Sequence, residues 1–151
     1  MRNGIRPVIS QEDKSFIGFS NLDYGYITTK DLPVVAFGDH NLNIKFIENE
    51  FFIGCDGLKV LKTKKDILPK YFYYYLLSSK FLEDLNIKMN GKFYQRHWSY
   101  VKEVNIPLLP LEIQHEIVEK LDEEQEYIKQ TQNFIAKQKQ KITFLLSKLW
   151  N

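Results

Sequence analysis

Nine consecutive residues, Asn90-Gly91-Lys92-Phe93-Tyr94-Gln95-Arg96-His97-Trp98, bring together one glycine, two cations, a histidine, a glutamine and three aromatic rings. That mixture suits contact with a nucleic acid. Arg96 has the geometry to grip a guanine in bidentate fashion and Gln95 an adenine, each worth about 1–3 kcal/mol of discrimination. Tyr94 and His97 can add hydrogen bonds or stack, Lys92 can meet phosphate, and Gly91 lets the backbone approach closely. Phe93 and Trp98 are better suited to anchoring the segment in its domain. For each residue of the cluster, packing is the alternative role.

A second constellation, Phe37-Gly38-Asp39-His40-Asn41, invites comparison with a histidine-metal nuclease, in which His40 and Asn41 would hold a divalent ion and activate water. His97 and His115 are the remaining histidines, and neither stands at ligand spacing from His40. A tight turn after a strand, with a side chain facing DNA, fits the residues better. Asn41, Asn43 and Lys45 then form a second candidate contact patch. Methyl transfer finds no support, because the chain has neither a glycine-rich cofactor loop after a strand nor an Asn/Asp-Pro-Pro-Tyr/Phe element. No catalytic residue, metal ligand or cofactor is therefore expected in this chain.

Charge sharpens the picture. The net charge of +2 is modest, yet residues 1–58 carry five Lys/Arg against eight Asp/Glu, whereas residues 59–102 carry ten cations against three carboxylates. Those cations are Lys59, Lys62, Lys64, Lys65, Lys70, Lys80, Lys88, Lys92, Arg96 and Lys102. A stretch so biased attracts a polyanion, and Lys64, Lys65, Lys88 and Lys92 are candidates for sequence-independent phosphate contact. The bland alternative is that these lysines solvate a helix and its flanks.

Several elements must position these groups. Leu32 to Phe37, Phe51 to Gly54 and Leu58 to Leu61 read as short strands bounded by Gly, Asp or Asn. Ile67 to Leu85 reads as one amphipathic, tyrosine-rich helix, with Pro69 suited to its first turn. Asn90 to Trp98 follows as a loop, and Tyr100 to Leu109 as an extended stretch. After Pro110 no glycine or proline occurs. The run to the C-terminus therefore reads as one helix of about forty residues, roughly 58 Å long at ~1.5 Å per residue. Along it Leu121, Ile128, Ile135, Ile142 and Leu149 recur every seven positions, accompanied by Ile117, Tyr127, Phe134 and Leu145. Glu124, Thr131 and Gln138 make the seam wet in the middle. A single helix of that length cannot cover such a stripe on a domain at its base, so it needs another long helix. Leu121, Ile128, Ile135, Ile142, Leu145 and Leu149 are the expected interface, in antiparallel self-association or with a different chain.

The expected fold class is thus α+β: a small mixed α/β recognition domain over residues 1–109, then a long helix over residues 110–151. With 151 residues, 44% hydrophobic and 26% charged, the chain is about one domain's worth. Its apolar runs are too short for a membrane span, and residues 1–10 lack the apolar core of a signal peptide. A cytoplasmic location is expected, and the lone Cys55, read as a small buried residue, fits a reducing compartment.

The residues also carry a resemblance. Ile106-Pro107-Leu108-Leu109-Pro110-Leu111-Glu112-Ile113-Gln114, followed by Ile117-Val118 and Leu121-Asp122, resembles the boundary between recognition domain and long helix in specificity subunits of Type I restriction-modification systems. Leu109 stands where that family usually has proline, and Ile113 where it often has glutamate. Upstream, Phe37 to Asn41, Phe51 to Leu61, the helix around Tyr71 to Leu77 and the Gly91 to Trp98 segment resemble one class of its recognition domains. The resemblance implies a non-catalytic subunit that binds double-stranded DNA and directs a modification subunit, itself using S-adenosylmethionine, with a restriction subunit as a further partner. Family members usually carry two recognition domains and two long helices. One of each stands here, which implies a half-subunit, either a naturally short one or a piece of something larger; if it works alone, the stripe on the last helix predicts a homodimer on a bipartite palindrome. Two other readings compete: a coiled-coil adaptor whose domain binds protein, and the recognition fragment of a single-chain restriction-methylation enzyme.

Overall fold

A computed structural model of the chain describes residues 6–29, 32–90 and 96–149. Two compact units emerge, residues 1–115 and 116–151. The first unit holds six strands: β1 (Arg6–Ile9), β2 (Gly18–Ser20), β3 (Val34–Gly38), β4 (Ile44–Ile47), β5 (Phe52–Ile53) and β6 (Leu58–Leu61). They form two three-stranded sheets, ordered β2-β1-β5 and β4-β3-β6. In the first, β1 runs antiparallel to β2 and parallel to β5; in the second, β3 is antiparallel to both neighbours. Three helices follow, α1 (Pro69–Leu77), α2 (Ser79–Met89) and α3 (Trp98–Val101), and then α4 (Leu111–Leu149).

The unbroken apolar run Val34-Val35-Ala36-Phe37 explains why β3 is central. Alternate residues of a strand face opposite ways, so a run with no polar position must be covered on both faces. All four are fully buried. Val34 and Ala36 pack with Ile9, Ile47, Phe51 and Leu58, whereas Val35 and Phe37 pack with Phe72, Tyr75 and Leu76 of α1, Phe81, Leu85 and Met89 of α2, and Val101 of α3. The unit is therefore layered as sheet, sheet and helices around one strand. Cys55 lies half-buried beside the first of these clusters.

Comparison with the elements expected from sequence gives agreements and corrections. The mixed α/β architecture with short strands and a long C-terminal helix is present, and Leu58–Leu61 is a strand with the bounds expected. The helix read as continuous from Ile67 to Leu85 is two helices. Ser78 separates them in an extended conformation, its N–H donating to the Tyr75 carbonyl while its hydroxyl accepts from the Phe81 N–H at 3.2 Å. One serine thus ends α1 and caps α2. Asn90, placed in the loop from sequence, is the left-handed residue that closes α2, with φ 46°. Trp98 was likewise assigned to loop, and Tyr100 to an extended stretch, but both lie in α3. Residues 104–110 join no strand.

Tyrosines of α1 hold that last segment instead of a sheet ladder. The Tyr71 hydroxyl donates to the Pro107 carbonyl at 3.0 Å and the Tyr75 hydroxyl to the Asn105 carbonyl at 2.9 Å. Burial raises the pKa of both hydroxyls, so they remain donors well into the alkaline range. Gln114 completes the arrangement from the first turn of α4. Fully buried, its side-chain oxygen accepts the Leu68 N–H, and its nitrogen donates to the Asp66 and Leu109 carbonyls, all at 2.8 Å. Leu68 caps α1 without a side-chain bond, and Gln114 accepts the N–H of Leu68 itself, one of the donors the start of the helix leaves unpaired.

Gln114→Leu would keep the volume and strand three backbone groups. We expect it to destabilise the first unit by about 3 kcal/mol or more, since three groups lose their partner and each buried unpaired group costs roughly 1–3 kcal/mol. Urea unfolding followed by tyrosine fluorescence measures this; an unchanged midpoint would show that Gln114 is dispensable.

Candidate nucleic-acid interface

The turn after β3 begins at Asp39, and hydrogen bonds there join segments far apart in sequence. The Asp39 N–H donates to the Gly57 carbonyl of the β5–β6 turn at 2.8 Å. The Asp39 carbonyl accepts the His97 N–H at 2.9 Å and faces His97 Nδ1 at 2.7 Å, while its carboxylate accepts the Trp98 N–H at 2.7 Å. Because Nδ1 faces a carbonyl oxygen, it must carry the proton. Two of the sequence-defined candidate patches, the 39–45 turn and the Arg96–Trp98 end of the aromatic-cationic cluster, are thereby brought together.

Within the turn, local polar bonds set the path. Leu42 takes a left-handed conformation, with φ 57°, and its N–H returns to the Gly38 carbonyl. Asn41 and Asn43 both donate their side-chain amides to the Gln11 carbonyl, at 2.6 and 2.8 Å, and the Asn41 oxygen accepts the Asn43 N–H. A side chain at Gly38 would run into that Asn41 oxygen. The β1–β2 connection is thus pinned to the β3–β4 turn. Between them lies a hollow of about 550 Å³, lined by Glu12, Asp13, Lys14, Asn41 and Asn43. Carboxylates in such a hollow repel phosphate but can accept from the amino group of a cytosine.

Each candidate residue has a definite place. Arg96 is exposed, directly before the buried His97. His97, read from sequence as a base-contacting side chain, is only 5% exposed and its ring is turned onto Asp39. In this structure His97 organises the turn from inside, and sequence had no signal for the partner 58 residues away. Trp98 is half-buried against the helix-side cluster, as an anchor would be. Lys45 pairs with Ala36 across the sheet, which aims it toward the β1–β2 connection, where its ammonium donates to the Lys14 carbonyl at 2.5 Å. Burial lowers its pKa, and the Asp13 charge opposes that shift. Lys64 and Lys65 are exposed between β6 and α1, and Lys88 is exposed in the last turn of α2. Lys92, Tyr94 and Gln95, with Gly91 and Phe93, lie outside the described residues.

Asp39 and Gln11 were missed by the reading of the sequence. Residue types mark Asp39 only as part of a turn, and Gln11 contributes a backbone carbonyl that no residue type advertises. Among the described residues, no group of three or more His, Cys, Asp or Glu side chains gathers where it could hold a metal ion. No helix among them is long and apolar enough to cross a membrane.

Comparison with known proteins identifies a family. A family model described as Type I restriction modification DNA specificity domain matches residues 2–144. No curated protein and no solved structure matches the chain.

Exchange of Lys64 and Lys65 for glutamine should weaken binding to every duplex alike. Fluorescence anisotropy across a salt series should show the slope of log affinity against log salt reduced by about 2 in magnitude, near 0.9 per lost phosphate contact. Loss confined to one DNA sequence would contradict a phosphate role for the pair.

Proposed function

The chain belongs to the family of Type I restriction modification DNA specificity domains, and from that premise we propose that two copies, joined through α4, read a bipartite palindromic DNA target. Each domain contacts one half-site. Arg96 and the Asn41–Lys45 turn face bases, and Lys64, Lys65 and Lys88 meet phosphates. By residue type, Lys92, Tyr94 and Gln95 are further candidates for DNA contact. His97 acts through Asp39 rather than by touching bases.

Catalysis belongs to partners. A modification subunit supplies methyl transfer from S-adenosylmethionine, a restriction subunit is the further partner, and the assembly works in the cytoplasm on double-stranded DNA. This chain contributes recognition, in keeping with its family.

One observation carries the pairing. Leu121, Ile128, Ile135, Ile142, Leu145 and Leu149, all on one seven-residue repeat pattern, are 38–70% exposed along a 39-residue helix. Apolar groups so placed are covered in the working protein, since a stripe of this length left in water invites association. Charge indicates both the partner and the direction. From Leu111 to Glu126 the helix carries Glu112, Glu116, Glu119, Asp122, Glu123, Glu124 and Glu126 against Lys120, whereas from Lys129 to its end it carries Lys129, Lys137, Lys139, Lys141 and Lys148 and no carboxylate. A parallel pair of copies would set acidic halves side by side and basic halves side by side. An antiparallel pair sets each acidic half beside a basic one. The two-fold axis of such a pair imposes a palindrome on the DNA, and helix length sets the distance between half-sites.

Light scattering of the purified chain should give the mass of a dimer, and replacing Ile128 and Ile135 by lysine should give a folded monomer. A wild-type monomer at high concentration would exclude self-pairing. With a modification subunit present, methylation mapping should show one palindromic motif with a constant spacer, and Arg96→Ala should alter or abolish that motif. An unaltered motif would remove Arg96 from the bases read.

A further inference from the structure

We propose that Asp39 is a positioning residue for DNA recognition: its carboxylate holds the backbone at Trp98 so that Arg96 and the Asn41–Asn43 turn present themselves to the same groove. The inference rests on the DNA-reading role proposed above and adds a residue that contacts no DNA itself. Asp39 is 1% exposed, so it is not a contact residue. Its acceptors nonetheless tie the segment that carries Arg96 to the turn that carries Asn41 and Asn43, in which Asp39 itself lies.

The geometry explains why a carboxylate stands there. His97 and Trp98 together bring three donors to Asp39: two backbone N–H groups and a ring nitrogen. The carbonyl takes two of them and the carboxylate takes the third at 2.7 Å, a length typical of charge-assisted bonds. Arg96 is the residue immediately before this fixed pair, and its side chain is exposed. With the backbone held at 97 and 98, the direction in which Arg96 leaves the domain is limited. On its other side Asp39 leads into the turn whose Asn41 and Asn43 amides grip the Gln11 carbonyl. A shift at Asp39 would therefore move one contact patch relative to the other while leaving each patch chemically intact. Bidentate base contacts tolerate such displacement poorly, whereas phosphate contacts by exposed lysines tolerate it well.

The test uses the full chain, a duplex selected from random sequence by its binding, and a scrambled duplex of equal length. Wild type should prefer the selected duplex; equal binding would defeat the DNA-specificity reading itself, before any variant is made. Asp39→Ala should lose about tenfold or more of that preference, the size of one good base contact, with scrambled-duplex affinity and its salt dependence unchanged. Asp39→Asn, which keeps an acceptor oxygen, should restore most of the preference. Gln114→Ala serves as the control for stability, since it removes buried hydrogen bonds elsewhere and should lower the melting temperature while preserving preference. Retained preference in folded Asp39→Ala, or equal loss in Gln114→Ala, overturns the proposal. Amide exchange at Trp98 in the native protein gives a check that needs no variant. Protection equal to that of β3 is expected, and exchange as fast as that of an exposed turn overturns the proposal.

Discussion

Everything in the first unit depends on β3 being buried on both faces. Four apolar residues in a row leave no polar side for water, so Val34 and Ala36 require one layer while Val35 and Phe37 require another. Once both layers are in place, the end of the strand is held at Gly38 and Asp39. Apolar packing ends there and hydrogen bonding takes over. The Asp39 N–H reaches the β5–β6 turn, and its two acceptors gather the residues that open α3. Turns that would be mobile as isolated loops are thereby referenced to the most buried strand of the unit.

How much of this was legible in the sequence follows from the range of the interactions involved. The β3 run announces itself because burial on two faces leaves an unbroken apolar segment. Likewise the long helix is visible in the absence of glycine and proline after Pro110, and its stripe in the seven-residue recurrence of Leu121 to Leu149. Local patterns carry local structure. The break at Ser78 was missed because the apolar periodicity runs straight through it, although serine is a natural cap. Strands β1, β2 and β4 are missed because each is only three or four residues long, and β1 takes part of its ladder from β5, far along the chain.

The candidate site shows the same division more sharply. Residue types alone mark Arg96, Lys64, Lys65 and Lys88 as groups suited to DNA, and all four are exposed. The same reasoning placed His97 among the base contacts, because a histidine beside arginine and tryptophan looks like recognition chemistry. Its ring instead serves the interior, and the partner that decides this lies 58 residues earlier. Gln114 illustrates the converse: a polar residue on a long helix is unremarkable by type, yet buried among three backbone groups it secures the start of α1 and the segment before α4. The two units divide the labour accordingly. The first concentrates its polar interactions on turn geometry, while the second carries an exposed apolar stripe and oppositely charged halves.

The most direct measurement is amide hydrogen exchange of the full chain with and without a duplex selected by its binding. DNA should slow exchange in residues 39–45 and in the segment from Asn90 to Trp98, and leave β1 and β2 unchanged. Protection confined to α4, or to the β2-β1-β5 sheet, would contradict the account.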